Sequence, residues 1–170
     1  MTQPEAVLFE DDGSIPNNPL LPCLIYRRVV DLADSKSPGN TVENLFARNG
    51  WRDVWWNGIY AFVHYHSRIH EVLGVARGHA QVRLGGRSGR ELEFAAGDVA
   101  VLPAGTGHQC LSASDDLLVI GAYAPGGEYD LCRGSAEERT RALGSIPTVP
   151  LPKSDPVFGR IGPLLRLWKR

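Results

Sequence analysis

Few features of this 170-residue sequence favour a nucleic acid or membrane partner. Lysine and arginine total 18 against 19 aspartates and glutamates, so there is no basic excess to attract phosphate, and we expect no nucleic acid partner. No apolar run approaches the roughly 18 residues of a membrane span. The N-terminus is acidic and reaches its first basic residue only at Arg27, unlike a secretory signal. We therefore expect a cytoplasmic protein with no membrane contact.

Cysteine is scarce, and motifs for several common chemistries are missing. Cys23, Cys110 and Cys132 are odd in number and far apart, which favours reduced thiols over a disulfide framework. No CxxC pair and no Ser–His–acid arrangement is found. The glycine-rich segment 84–89 is not followed by a predicted helix, so it indicates a hairpin turn and not a phosphate-binding loop.

Turn-forming residues, by contrast, are abundant. The chain has 19 glycines and 12 prolines, and between residues 51 and 121 turn signals separate short runs of alternating apolar residues. Closely spaced turns between short strands are typical of an all-β sandwich or barrel. The sequence therefore predicts an all-β core over this region.

Two helices are predicted outside the β region. Apolar residues recur at helical spacing over 41–49, where Asn40 can serve as the N-cap. A second helix is predicted over 135–144, because Ser135 and Glu138 have the spacing of a capping box.

The two ends of the chain differ in character from the β region. Residues 1–20 are acidic and rich in proline and asparagine, and we expect a loosely held arm. Residues 21–170 are predicted to form a single domain, which is consistent with the chain length. The proline-rich segment 145–170 ends in LLRLW before its last two residues, and this ending is expected to pack back on the domain.

All five histidines lie within one 45-residue window of the predicted β region. His64 and His66 are two residues apart, which places both imidazoles on one face of a strand. Glu71 stands where the next strand begins, and His108 follows a PAG turn. A closed β structure can bring such strand ends together, and three imidazoles with one carboxylate suit a divalent first-row metal.

The spacing of these residues resembles the two sequence motifs of the cupin superfamily. The first motif covers 58–78 and carries the HxH pair and Glu71, and the second covers 97–112 and carries the PAG turn and His108. Only the last position departs, because Ser112 stands where the motif usually has an asparagine that is not a ligand. The chain also resembles a family of small single-domain bacterial cupins without assigned activity, in stretches such as GIYAFVHYHSRIHEVLG and GPLLRLW.

The resemblance implies a fold, a metal and an assembly. The fold would be the cupin jelly roll, a double-sheet β-barrel, with a short N-terminal helix and a short C-terminal helix. In metal-binding cupins the positions that match His64, His66, Glu71 and His108 hold one divalent transition metal, either Fe, Mn, Ni, Co, Cu or Zn. Positions stay open on that metal for water, substrate or dioxygen. Because cupins often pair, we expect a homodimer.

His70 competes with Glu71 for the fourth ligand position. Glu71 leaves six residues before Gly78, as the cupin motif requires, whereas His70 would leave seven. Neighbouring strand residues face opposite ways, so both cannot bind one metal without a bulge. The spacing favours Glu71 and leaves His70 either behind the ligands or on the surface.

Three further residues are candidates for a substrate pocket. Tyr60 and Phe62 share the parity of the HxH pair and are predicted to face the barrel interior. For Phe62 we favour simple core packing. Tyr60 could line a substrate pocket, because its hydroxyl needs a hydrogen-bond partner when it is buried. Cys110 shares the parity of His108 and could be a pocket-wall thiol or a buried structural residue, of which the latter is commoner.

Such a centre can polarise a carbonyl or enol oxygen, lower the pKa of water, or bind dioxygen beside a chelated substrate. The sequence favours a metal-dependent enzyme for a small oxygenated organic molecule, namely a dioxygenase, a C–C lyase or an isomerase. The alternative is a non-catalytic cupin that binds a small ligand or metal. A metal-free sugar-nucleotide epimerase is a weaker option, because no His–Asp pair or phosphate-binding basic residue is placed for it within the motifs.

Overall fold

The computed structural model describes residues 2–170, in which antiparallel strands predominate. The strands are β1 (Glu5–Val7), β2 (Cys23–Tyr26), β3 (Arg52–Asn57), β4 (Glu71–Arg77), β5 (His79–Leu84), β6 (Arg90–Ala95), β7 (Val99–Leu102), β8 (His108–Ala113) and β9 (Leu118–Tyr123). The helices are α1 (Pro38–Arg48), α2 (Ala136–Ser145) and α3 (Leu164–Leu167), with a 3-10 turn at Ile146–Thr148. Within residues 2–170, no helix has the length and apolar character needed to cross a membrane.

The strands form two sheets, as the sequence predicts. The larger has the order β1-β2-β7-β4-β9-β3 and the smaller has the order β6-β5-β8. Apolar side chains from both sheets, such as Leu73 and Val82, form one core between them. The prediction of an all-β cupin fold is confirmed.

A second core lies on the outer face of the larger sheet. Helix α1 buries Val42 and Phe46 there, and a side chain at Gly74 of β4 would collide with both. Because β4 is buried on both faces, its sequence EVLGVAR is apolar almost throughout. Trp168 completes this core at 3% exposure, and its Nε1–H donates to the Pro22 carbonyl at 2.8 Å. The expected return of the C-terminal segment is confirmed.

Both predicted helices form, but the first begins earlier than expected. Its N-cap is Ser37 and its first residue is Pro38, whose fixed φ suits the first helical turn. Asn40, the expected cap, lies inside the helix. Helix α2 has the predicted capping box, with the Glu138 N–H donating to Ser135 Oγ at 3.2 Å.

The expectation of a loosely held N-terminal arm is wrong. Strand β1 pairs with β2, and Ile15 is 2% exposed. The buried Asn17 amide donates to the Gly85 carbonyl at 3.0 Å, and its Oδ1 accepts the Gly107 N–H at 3.1 Å. Asparagine suits this position because its amide satisfies buried backbone groups that would otherwise lack partners.

Candidate metal centre

Three histidines meet where the HxH segment crosses the start of β8. The backbones of His64 and His108 bond in both directions, at 3.1 Å and 2.9 Å, so their rings lie 4.0 Å apart between centroids. His66 follows, with its ring centroid 5.6 Å from that of His108. All three side chains are buried, and their candidate ligand atoms lie within 4.8 Å of one another. This buried histidine triad could bind a metal ion.

The HxH segment itself is less regular than a strand. Only His64 and Tyr65 form isolated bridges, the first to His108 and the second to Cys132. The alternation nevertheless holds locally, because Tyr65 turns away and is buried in a separate cluster with Ile15. The two histidines therefore share one side, as the sequence predicts.

Backbone carbonyls fix the protonation pattern of the triad. The Nδ1 atoms of His64, His66 and His108 lie 3.1, 2.5 and 3.0 Å from three carbonyl oxygens. Because a carbonyl only accepts, each neutral ring carries its proton on Nδ1 and keeps the lone pair on Nε2. This is the orientation in which outer carbonyl partners prepare histidines to bind a metal.

Glu71, the first residue of β4, lies beside two of these lone pairs. Its Oε2 is 3.3 Å from His66 Nε2 and 3.2 Å from His108 Nε2, and no hydrogen-bond donor within residues 2–170 reaches that oxygen. Acceptors that face one another this closely repel unless a cation or a proton lies between them. The donor set of three imidazoles and one carboxylate fits a divalent transition metal.

The pKa values of the cluster reflect burial and mutual charge. Burial, helped by the nearby His108, lowers the pKa of His64 to about 3. Burial opposes the charging of His66, but the Glu71 carboxylate outweighs it, and the pKa of His66 is raised. Burial likewise disfavours the charged form of Glu71, but its histidine neighbours hold the pKa of that carboxyl below its usual range.

A cavity of about 450 Å³ opens over this cluster, a volume ordinary for a small-molecule site. The triad, Glu71, Asp53 and Asn57 supply its imidazole, carboxylate and amide side chains. Its other walls are largely aromatic and aliphatic, and include Trp55, Trp56, Ile69, Leu73, Tyr123 and Tyr129.

Of the predicted pocket residues, the structure places Tyr60 on this cavity and the others off it. Residues 58–63 form no regular strand, so the parity argument does not apply to them. Tyr60 is 48% exposed and meets His64 edge-on, with 5.1 Å between centroids. Phe62 stacks on the outer side of this pair, 4.7 Å from Tyr60 and beneath Arg133. Cys110 packs at the rim of the core between the sheets.

His70 immediately precedes β4, and its side chain lies on the opposite side of the larger sheet from Glu71, as strand alternation predicts. It is fully buried, so the surface alternative is wrong. Its Nδ1 accepts the Ala104 N–H at 2.9 Å, and its ring packs 4.8 Å from that of Trp168. Burial and the charge of Arg170 lower the pKa of His70 to about 3. These contacts make it a neutral part of the outer core.

Asp130 is a functional residue that sequence reasoning missed. Its carbonyl is the 2.5 Å partner of His66 Nδ1, and its Oδ1 accepts the Ser67 N–H at 2.8 Å. Its Oδ2 accepts the Ser67 hydroxyl at 2.6 Å. Asp130 is therefore tied to the HxH segment at His66 and at Ser67. No local pattern announces a contact between residues 64 positions apart.

The paired antiparallel sheets form the cupin fold, and the histidine triad and Glu71 stand at positions that match the two cupin motifs. No model of a protein family matches the sequence. The chain is 39% identical over 164 residues to the uncharacterized protein YjlB of Bacillus subtilis strain 168, with 96% of each chain covered. It belongs to the same family as YjlB.

Solved structures with a similar fold are more distant. Acireductone dioxygenase from Bacillus anthracis, with a cadmium ion in its active centre, is 16% identical over 62% of this chain and 80% of its own, with a TM-score of 0.41. The WlaRB TDP-quinovose 3,4-ketoisomerase from Campylobacter jejuni is 14% identical over 53% and 75%, with a TM-score of 0.44. Oxalate decarboxylase from Lactobacillus farciminis is 20% identical over 57% and 33%, with a TM-score of 0.39. These similarities are too distant to transfer a substrate or a reaction.

Proposed function

We propose that this cupin binds one divalent transition metal through His64, His66, His108 and Glu71 and is an enzyme for a small oxygenated organic molecule. The observation that carries the proposal is the buried Glu71 Oε2, which faces two imidazole Nε2 atoms and accepts no hydrogen bond from them while both rings are neutral and protonated on Nδ1. A buried polar atom without a partner costs about 1–3 kcal/mol, and a cation at this point would remove that cost.

A metal held there would supply Lewis-acid chemistry or, if it is redox-active, dioxygen chemistry. The chain supplies the geometry, because three backbone carbonyls orient the imidazoles and Glu71 offsets part of the metal's charge. Tyr123 lines the cavity and pairs with Glu71 across the sheet, so its hydroxyl can donate to a substrate oxygen. These features support a dioxygenase, a C–C lyase or an isomerase.

Metal content tests the ligand assignment. Untagged protein should carry close to one equivalent of a single transition metal by mass spectrometry, after reconstitution at neutral pH if necessary. His64→Ala and His108→Ala should lose it, whereas the matched control His79→Ala should keep it, because His79 is exposed and away from the cavity. Folded wild-type protein that takes up no metal would overturn the proposal.

Turnover is a separate question from metal binding. Metal-loaded protein that consumes dioxygen or converts a chelating hydroxyketone, enol or diol would support an enzyme. Metal and ligand binding without conversion of any such compound would favour the non-catalytic alternative. The homodimer, the cytoplasmic location and the absence of a nucleic acid partner remain predictions, and sedimentation analysis tests the first of them.

A further inference from the structure

Among residues 2–170, the wall of the cavity over the histidine triad contains no lysine or arginine. Its lining residues include the carboxylates Asp53 and Glu71. Arg133, over the ring of Phe62 at 4.0 Å, and Arg68, paired with Glu128, are both outside the lining. A carboxylate or phosphate on the body of a ligand would therefore meet no countercharge in this wall.

The same wall is unusually aromatic, and two of its rings stand at the mouth. Tyr60 and Tyr129 are 48% and 52% exposed, although tyrosine rings are usually covered. Tyr60 lies 5.1 Å from His64, and Tyr129 lies 5.1 Å from His66. The two rings come from distant parts of the chain and flank the point on which the imidazoles converge. They form a surface on which a flat ring can pack.

Trp55 supplies a directional group deeper in the wall. Its indole packs on Gly121, where any side chain would collide with it, so β9 leaves room for the ring. Its Nε1–H is buried beside the Tyr123 hydroxyl but completes no full hydrogen bond among the described residues. A buried donor without a full hydrogen bond favours a ligand that carries an oxygen acceptor.

We infer that the substrate has a planar aromatic body and adjacent oxygens for chelation, and that its body carries no carboxylate or phosphate. The inference rests on the proposed function, because the chelating oxygens need the metal. It separates this cavity from sites for dicarboxylates and sugar phosphates, which need cationic side chains for their second anionic group.

A matched set of chelators tests the inference on zinc-reconstituted protein. Benzohydroxamate and acetohydroxamate share one chelating head and differ in the phenyl ring. By titration calorimetry the phenyl compound should bind at least about tenfold more tightly, because its ring is buried between the mouth tyrosines. 4-Carboxybenzohydroxamate should lose most of that advantage, because its carboxylate meets no cation.

Substitutions at Tyr60 and Tyr129 test whether these two rings cause the preference for the phenyl compound. Tyr60→Ala and Tyr129→Ala should each reduce the phenyl preference severalfold and leave acetohydroxamate binding and zinc content unchanged. Leu131→Ala is the matched control, because Leu131 is exposed beside Tyr129 but does not line the cavity, and it should keep the full preference.

The outcomes distinguish this inference from the proposed function. Zinc-loaded protein that binds the two hydroxamates equally, prefers the carboxylated compound or binds none of the three overturns the inference and leaves the metal site standing. Protein that holds no zinc overturns the proposed function itself, as the metal measurement shows independently of any chelator.

Discussion

The two faces of β4 both bury histidine, but in opposite protonation patterns. On the outer face, His70 Nδ1 accepts the Ala104 N–H, so the proton of the neutral ring lies on Nε2. On the inner face, the Nδ1 atoms of the triad face carbonyls, so their lone pairs lie on Nε2 and point at a common region. Burial and residue type are the same on both sides. The partner of Nδ1 therefore leaves the Nε2 lone pair free in each histidine of the triad and leaves Nε2 protonated in His70.

The largest expected effect is a loss of stability when His70, the histidine of the outer face, is replaced. His70→Ala removes the acceptor of the Ala104 N–H and leaves a cavity beside Trp168, so the free energy of unfolding should fall by about 2–4 kcal/mol. Urea unfolding of metal-free protein measures this, and His70→Asn should recover part of the loss, because its Oδ1 can accept the same N–H. The folded fraction should keep its metal, and a folded His70→Ala protein without metal would contradict the division between the faces.

The pH dependence of stability tests whether His70 is buried in its neutral form. The pKa of His70 is about 3 in the folded protein and near its usual value of about 6.5 when unfolded. The unfolded state therefore binds the extra proton first, so stability is full above about pH 6.5 and is lost as pH falls toward 3, by up to about 1.4 kcal/mol per pH unit. His70→Asn should lack this component. Identical slopes for the metal-free wild type and variant between pH 6 and 4 would argue against it.

On the inner face, replacing Asp130 should have a smaller effect, and that effect should be on metal affinity alone. Asp130→Ala frees the segment whose carbonyl orients His66, and metal affinity should fall about 10–100-fold, as for other residues behind a ligand. Competition with a chelator measures it. Asp130→Asn keeps Oδ1 for the Ser67 N–H and should retain most of the affinity. Equal losses in both variants would mean that the carboxylate charge, and not the position of the segment, matters.

The smallest effect is expected at Ser112, where the sequence departs from the cupin motif. Its side chain is exposed on β8 opposite Gln81, away from the cavity. Ser112→Asn should therefore change the free energy of unfolding by less than about 0.5 kcal/mol. Metal affinity, measured by the same chelator competition, should stay within error. A clear gain in affinity would show that the motif position acts on the centre.

Sequence predicted what depends on local spacing. Strand alternation predicts that the two histidines of the HxH pair share one side, and the resemblance to the cupin motifs implies the set of four. In the structure the three histidines cluster, and Glu71 lies beside His66 and His108. The opposite orientation of His70 follows from the same alternation.

Contacts between distant segments could not be predicted from spacing. Asp130 reaches His66 across 64 positions, and Asn17 reaches Gly107 across 90. Each of these contacts uses a backbone group of one partner, and almost every residue type has the same backbone N–H and carbonyl, so the sequence does not mark which residue takes part. Tyr60 was placed by strand parity, but its segment is irregular and directs the ring to the cavity mouth.

The bond between Asn17 and Gly107 also constrains the order in which this protein can form during synthesis. The segment that braces the turn before His108 leaves the ribosome 90 residues before that turn does. The Oδ1 atom of Asn17 must wait for the Gly107 N–H while the intervening residues are made, at a rate of about 5–20 residues per second. Asp130, whose carbonyl orients His66, is made later still. The metal centre therefore cannot be complete before residue 130 has been made, and a nascent chain shorter than that cannot hold the ion as tightly as the finished protein.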